Sequence, residues 1–116
     1  MLQHVSIEVR EGDVDACVRF YELIGFAQVD PPETLRSRAT WVARGETQVH
    51  LMHVDDPVVP PSGHHAVMVD DYDGTLAALR DAGFEPEARK EHWGCARSFV
   101  RNPAGHRVEL MACAPP

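Results

Sequence analysis

Three histidines and one glutamate are spaced so that they could hold a metal ion. His4 lies in an opening alternating stretch, His4-Val5-Ser6-Ile7-Glu8-Val9, which is matched by His64-His65-Ala66-Val67-Met68-Val69 at an offset of 64 − 4 = 60. His50 lies in Gln48-Val49-His50-Leu51-Met52, which is matched by Arg107-Val108-Glu109-Leu110-Met111 at an offset of 109 − 50 = 59. One supersecondary unit is therefore used twice, and each copy begins and ends with a strand bearing a metal-competent side chain. A lone mid-strand histidine is more often a hydrogen-bonded structural residue. Four such residues at matched repeat positions point instead to a shared site, because first and last strands lying side by side could bring all four onto the polar face of one curved sheet. Three neutral imidazoles and one carboxylate suit Zn, Fe(II), Mn, Ni or Co. A divalent ion would leave the site at 2 − 1 = +1, which favours an anionic or enolate-like oxygen.

The elements that must position these residues follow from period and punctuation. Residues 2–10 alternate, with Val5, Ile7 and Val9 on one face and His4, Ser6, Glu8 and Arg10 on the other. The second face suits a binding cavity, and Ser6 joins the candidates there. Asp13 is the expected N-cap of a helix bearing Val14, Cys17, Val18 and Tyr21, with Gly25 as its terminator. Phe26–Asp30 reads as a strand, 33–37 as a mobile loop, and Arg38–Arg44 and Thr47–Val54 as a hairpin. The second copy repeats this order: a strand from His64, a helix opened at Asp70 to Asp73, strands at Glu85–Glu91 and Arg97–Arg101, then the Asn102-Pro103-Ala104-Gly105 turn. Proline and glycine there specify a tight reversal. The final strand places Glu109 in mid-strand, where carboxylates are depleted and need compensation. Strand parity adds Arg38, Thr40, Arg97 and Phe99 as cavity-lining residues, and the loop residue Trp93 as a further contact. By the same parity His65 and His53 point away from the site, and His106 ends the turn.

The expected architecture is one α+β domain over residues 1–116, made of two βαβββ repeats (2–54 and 64–112) that form a curved mixed sheet. The proline-rich stretch 55–63 connects them. A formal charge of −7 argues against a nucleic-acid surface. No apolar run approaches the roughly 20 residues of a membrane span. Three cysteines without CxxC spacing suggest reduced thiols and a cytoplasmic setting.

The chain resembles single-domain members of the vicinal oxygen chelate superfamily, which includes glyoxalases, bleomycin resistance proteins and ring-cleaving dioxygenases. The resemblance is carried by the His4 strand, Phe20-Tyr21-Glu22-Leu23-Ile24-Gly25-Phe26, Gly63-His64, and Asn102-Pro103-Ala104-Gly105-His106-Arg107-Val108-Glu109-Leu110. It implies a His-His-Glu triad at His4, His64 and Glu109, with His50 at a further ligand position that is glutamate in lactoylglutathione lyases. Glu109 would then be both ligand and possible base. The resemblance also implies a divalent metal ion, a small oxygenated substrate, and a homodimer whose two chains share each metal site. The implied activity is a lyase, isomerase or dioxygenase reaction. The rival implication is metal-free sequestration of a drug or metabolite.

Overall fold

A computed structural model describes all 116 residues. The chain divides into two compact units, Met1–Val59 and Pro60–Pro116, and the division falls inside the expected connector. The first unit contains β1 (His4–Val9), α1 (Val14–Leu23), β2 (Ala27–Val29), β3 (Ala39–Arg44) and β4 (Thr47–His53). The second contains β5 (His64–Met68), α2 (Tyr72–Asp81), β6 (Glu87–Arg89), β7 (Arg97–Arg101) and β8 (Arg107–Met111). The α+β class and the βαβββ repeat stand. The strands form two four-stranded mixed sheets, one per unit, where one curved sheet was expected. Their orders, β1-β4-β3-β2 and β5-β8-β7-β6, are identical in form. First and last strands do lie side by side, and in parallel.

In each unit one sheet face is apolar and packs with the helix. Val9, Val42, Val49 and Leu51 form the first core with Cys17, Phe20 and Tyr21 of α1. Val67, Val100, Val108 and Leu110 form the second with Leu76 and Leu79 of α2. Burying such aliphatic side chains stabilises each unit by roughly 1.5–3 kcal/mol apiece. The opposite face carries His4, Ser6 and His50 in the first unit and His64, Arg97, Phe99 and Glu109 in the second. Asp71 caps α2, its side chain accepting from the Gly74 N–H at 3.1 Å. Asp13 does not cap α1: it ends a 3₁₀ turn (Glu11–Asp13), already has helical dihedrals, and makes no capping bond. Residues 33–37, expected to be a mobile loop, contain a second 3₁₀ turn at Glu33–Leu35, and Arg36 Nε donates to the Pro31 carbonyl at 3.0 Å.

The two hairpins differ by one residue, and that residue matters. The β3–β4 reversal has two residues between its last pair, Arg44 and Thr47, with Gly45 at φ 59°. In the β7–β8 reversal Asn102 N–H donates to the His106 carbonyl at 2.9 Å, leaving three residues in the loop, with Gly105 at φ 90°. A three-residue loop ending in a left-handed glycine is a standard hairpin form. The Asn102 side chain fixes it by accepting from Ala104 N–H and His106 N–H, each at 3.0 Å. The extra residue makes the repeat offset 59 on the last strand (His50 to Glu109) but 99 − 41 = 58 on the strand before it (Trp41 to Phe99).

Candidate functional site

Each sheet gathers its candidate ligands onto the face away from its helix. In the second unit the register gives a grid. Phe99 lies across from Glu109, Arg97 from Met111, and Arg101 from Arg107, while His64 lies across from Arg107 on the other side. Glu109 is only 5% exposed. Its compensation is complete: Oε2 accepts from Arg97 Nε at 2.8 Å, and Oε1 lies 3.1 Å from His64 Nε2. Arg97 is itself oriented, because Nη1 donates to the Lys90 carbonyl at 2.9 Å and the Trp93 ring lies 5.8 Å from its guanidinium carbon. Trp93 is fixed in turn, with Nε1 donating to the Cys113 carbonyl at 3.0 Å.

The tautomer of His64 follows from its other nitrogen. Nδ1 lies 3.0 Å from the Ser62 carbonyl, which can only accept, so Nδ1 carries a proton. In the neutral ring, Nε2 therefore presents a lone pair to a carboxylate oxygen. Either a second proton or a cation must lie between them. Adjacent ligands on a six-coordinate ion with bonds of about 2.1 Å stand roughly 3.0 Å apart. The observed 3.1 Å matches that edge. A backbone carbonyl on the far nitrogen is also the usual orienting partner of a metal-bound histidine. The His64 and Glu109 donors thus fit a divalent ion.

The first unit builds its counterpart from aromatic rings. His50 is sandwiched, its ring stacked on His4 at 4.1 Å and on Trp41 at 3.9 Å with only 4° between planes. His4 Nδ1–H donates to Gln3 Oε1 and His50 Nε2–H to Gln48 Oε1, each at 2.7 Å. His4 Nε2 and His50 Nδ1 remain as lone pairs. Burial, and then the neighbouring His4, lower the His50 pKa, which favours the neutral form a metal ligand needs. The expected ligands thus lie in two pairs, His4 with His50 and His64 with Glu109, and no group of three metal-competent side chains is gathered.

The lining residues divide. Ser6 is exposed and lies directly across from His50. Arg97, Phe99 and Trp93 accompany Glu109 as described. Thr40 is corrected: it lies opposite Leu51 on the core-facing side of β3 and bonds His53 Nε2 at 2.9 Å. Arg38 has the same parity, stands just before β3, and is exposed. The cause is the hairpin offset. Counting back by 58 maps Arg97 and Phe99 onto Ala39 and Trp41, and counting by 59 maps them onto Arg38 and Thr40. Trp41 is the site residue that sequence reading missed, and the shorter β3–β4 loop was the signal for it.

The thiols need a second correction. Cys95 and Cys113 form a disulfide, with Cα atoms 5.8 Å apart, and buried Cys17 is not part of a disulfide. The β7–β8 register pairs Arg97 with Met111, and Ala112 N–H donates to the Ala96 carbonyl at 3.0 Å, so Cys95 and Cys113 continue the same ladder face to face. Disulfides are rare in the reducing cytosol, so the ground for a cytoplasmic setting is removed. No helix is long and apolar enough to cross a membrane.

Comparison with known proteins agrees with this fold. The sequence profile described as "Glyoxalase/Bleomycin resistance protein/Dioxygenase superfamily" matches residues 2–110. A glyoxalase family protein from Bacillus anthracis is 25% identical, with a TM-score of 0.85 over 96% of this chain and 93% of that one. A lactoylglutathione lyase from Agrobacterium tumefaciens is 17% identical, with a TM-score of 0.72 over 96% and 92%. The bleomycin resistance determinant encoded on transposon Tn5 is 16% identical, with a TM-score of 0.65 over 92% and 94%. At the latter two identities the likeness concerns the fold alone. No curated protein is significantly similar in sequence.

Proposed function

Because the chain belongs to the glyoxalase, bleomycin resistance protein and dioxygenase superfamily, we propose that it is a metal-dependent enzyme acting on a small oxygenated substrate. The proposed ligands are His4, His50, His64 and Glu109, and the ion is Fe(II), Mn, Ni, Co or Zn. Such an ion supplies Lewis acidity, polarising substrate oxygens and stabilising an oxyanion or enolate. The reaction is of the lyase, isomerase or dioxygenase type. The observation that supports this reading is the approach of His64 Nε2 to Glu109 Oε1 at 3.1 Å, a spacing a divalent ion could bridge, while Nδ1 is committed to a carbonyl.

The protein groups have distinct tasks in this reading. Ser62 fixes the His64 tautomer. Arg97 occupies Glu109 Oε2 and leaves Oε1 as the oxygen that binds metal or accepts a proton from substrate. Ser6, Trp93, Arg97 and Phe99 are the proposed substrate contacts. A homodimer in which both chains supply ligands to each ion is part of the proposal, because an open sheet otherwise leaves unpaired edges and a half-formed site.

One observation favours a second reading, metal-free sequestration. The His4–His50–Trp41 stack is an aromatic surface on which a flat ligand could lie. Metal analysis of untagged protein purified without chelator separates the two. The enzyme reading expects about one divalent ion per chain, restored after chelation by one of the five metals. Less than roughly a tenth of an equivalent, unrestored by any of them, would overturn the enzyme reading and favour the second. Light scattering on the same sample is expected to give a dimer mass.

A further inference from the structure

The polar face of the second sheet carries more positive charge than Glu109 needs. Three arginines surround Phe99 in an acidic chain, and a fourth, Arg101, lies two residues along the same strand. The guanidinium carbons of Arg89, Arg97 and Arg107 lie 5.1, 5.2 and 4.7 Å from the ring centroid. Two like-charge pairs lie directly across strands, Arg89 from Arg97 and Arg101 from Arg107. Like charges in that position are destabilising. The first pair is relieved, because Arg97 binds Glu109 and Arg89 comes within 4.0 Å of Glu87. The second pair is not. Arg101 reaches only the carbonyls of Gly105 and Pro61, and Arg107 bonds no protein acceptor. A cavity of about 170 Å³ opens onto these residues, lined by Arg89, Phe99, Arg101 and Arg107 with Glu85 and Glu87. Glu87 lies across from Phe99, and Glu85, two residues earlier, continues that register toward Arg101, so Arg107 is the positive charge with no carboxylate across from it.

We propose that Arg101 and Arg107 form an oxyanion subsite, and that the substrate is a compact carboxylate or phosph(on)ate whose anionic group they hold over Phe99. Arg107 is the cross-strand neighbour of His64, and adjacent strands stand about 4.8 Å apart. The anionic group therefore lies only a few atoms from the oxygens that react. The guanidinium fork suits either oxyanion, and Arg101, pinned by two carbonyls, pays little further ordering cost on binding. Naming the substrate's reacting end rests on the metal-enzyme reading, whereas the anion site itself does not.

The test uses inorganic phosphate and succinate as separate probes, titrated by calorimetry at constant ionic strength into metal-free and metal-loaded protein. At least one is expected to saturate at one equivalent per chain with a Kd of about 1 mM or tighter. Arg107→Gln and Arg101→Gln are each expected to weaken it about tenfold or more, while Arg80→Gln on the helix leaves it unchanged. Preference for phosphate assigns the phosph(on)ate class, and preference for succinate assigns the carboxylate class. Arg107→Gln also removes a like-charge pair, so its Tm should equal or exceed that of the parent, and ligand should raise the parent's Tm alone. Absence of saturable binding by both probes, or binding indifferent to Arg107→Gln, overturns the inference. Anion binding that persists where no metal binds sinks the metal reading alone. Metal binding without anion binding sinks this inference alone.

Discussion

The two units share strand order, register and a helix-covered core, yet their polar faces solve opposite problems. At one grid position the first unit has His50 and the second Glu109. At the next, Trp41 corresponds to Phe99 and Ala39 to Arg97. The first face is a pile of rings in which two glutamines each accept from one imidazole nitrogen. The second is an ionic lattice in which a buried carboxylate is matched by an arginine, and that arginine by a backbone carbonyl. The comparison shows what a mid-strand carboxylate costs. Changing His to Glu in a duplicated scaffold demands a second change, Ala to Arg, two positions away on the neighbouring strand.

The largest expected effect breaks that match from one side. Glu109→Gln removes the only proposed carboxylate ligand and leaves Arg97, whose side chain is 12% exposed, without its anion. Breaking one partner of such a pair costs about 3 kcal/mol or more. Urea unfolding of metal-free protein should show that loss, and metal titration should show affinity falling by about 100-fold or more. An unchanged urea midpoint would mean that the Arg97–Glu109 pair contributes no net stability.

A smaller effect tests the match itself. The double replacement Glu109→His with Arg97→Ala installs the first unit's pair in the second. It removes both charges together, so no buried ion is left alone. The double variant should recover about 1–2 kcal/mol relative to Glu109→Gln, despite the space that Arg97 vacates. Equal or greater destabilisation would show that the two faces are not interchangeable solutions.

Much of this was legible before any coordinates. The repeat exposed the βαβββ order, because the alternating first and last strands with their His or Glu residues recur in both halves. Glu109 could be singled out, and its need for compensation foreseen, from a carboxylate in mid-strand alone. Its particular partner was not named, because pairing Arg97 with Glu109 requires the hairpin register. The same register, shifted by one loop residue, sent Thr40 to the wrong face, concealed Trp41, and hid the ladder position shared by Cys95 and Cys113. Local pattern specifies an element and its two faces. Which residue meets which across the sheet depends on loop length, and a one-residue error there inverts a whole strand.

The smallest effect comes from the core side of the same comparison. Val5 lies across from Val49 in the first unit, and His65 across from Val108 in the second. An imidazole thus occupies a valine's place. Burial first, then His106 and His64, push its pKa down to about 4 from an ordinary value of 6.5. At pH 7 the ring is neutral in folded and unfolded chains alike, so it costs nothing in protonation. As pH falls below about 6.5 the unfolded chain takes up a proton that the folded chain refuses until about pH 4. Stability must therefore decline across that interval and level off below it, by roughly 1 kcal/mol at pH 5.5. His65→Val should flatten this part of the pH profile of the metal-free protein, read as urea midpoints from pH 7.5 to 4, while leaving the pH 7.5 value nearly unchanged. An acid-side decline that is equally steep in the variant would place the titrating group elsewhere, and the two cores would then respond to acid alike.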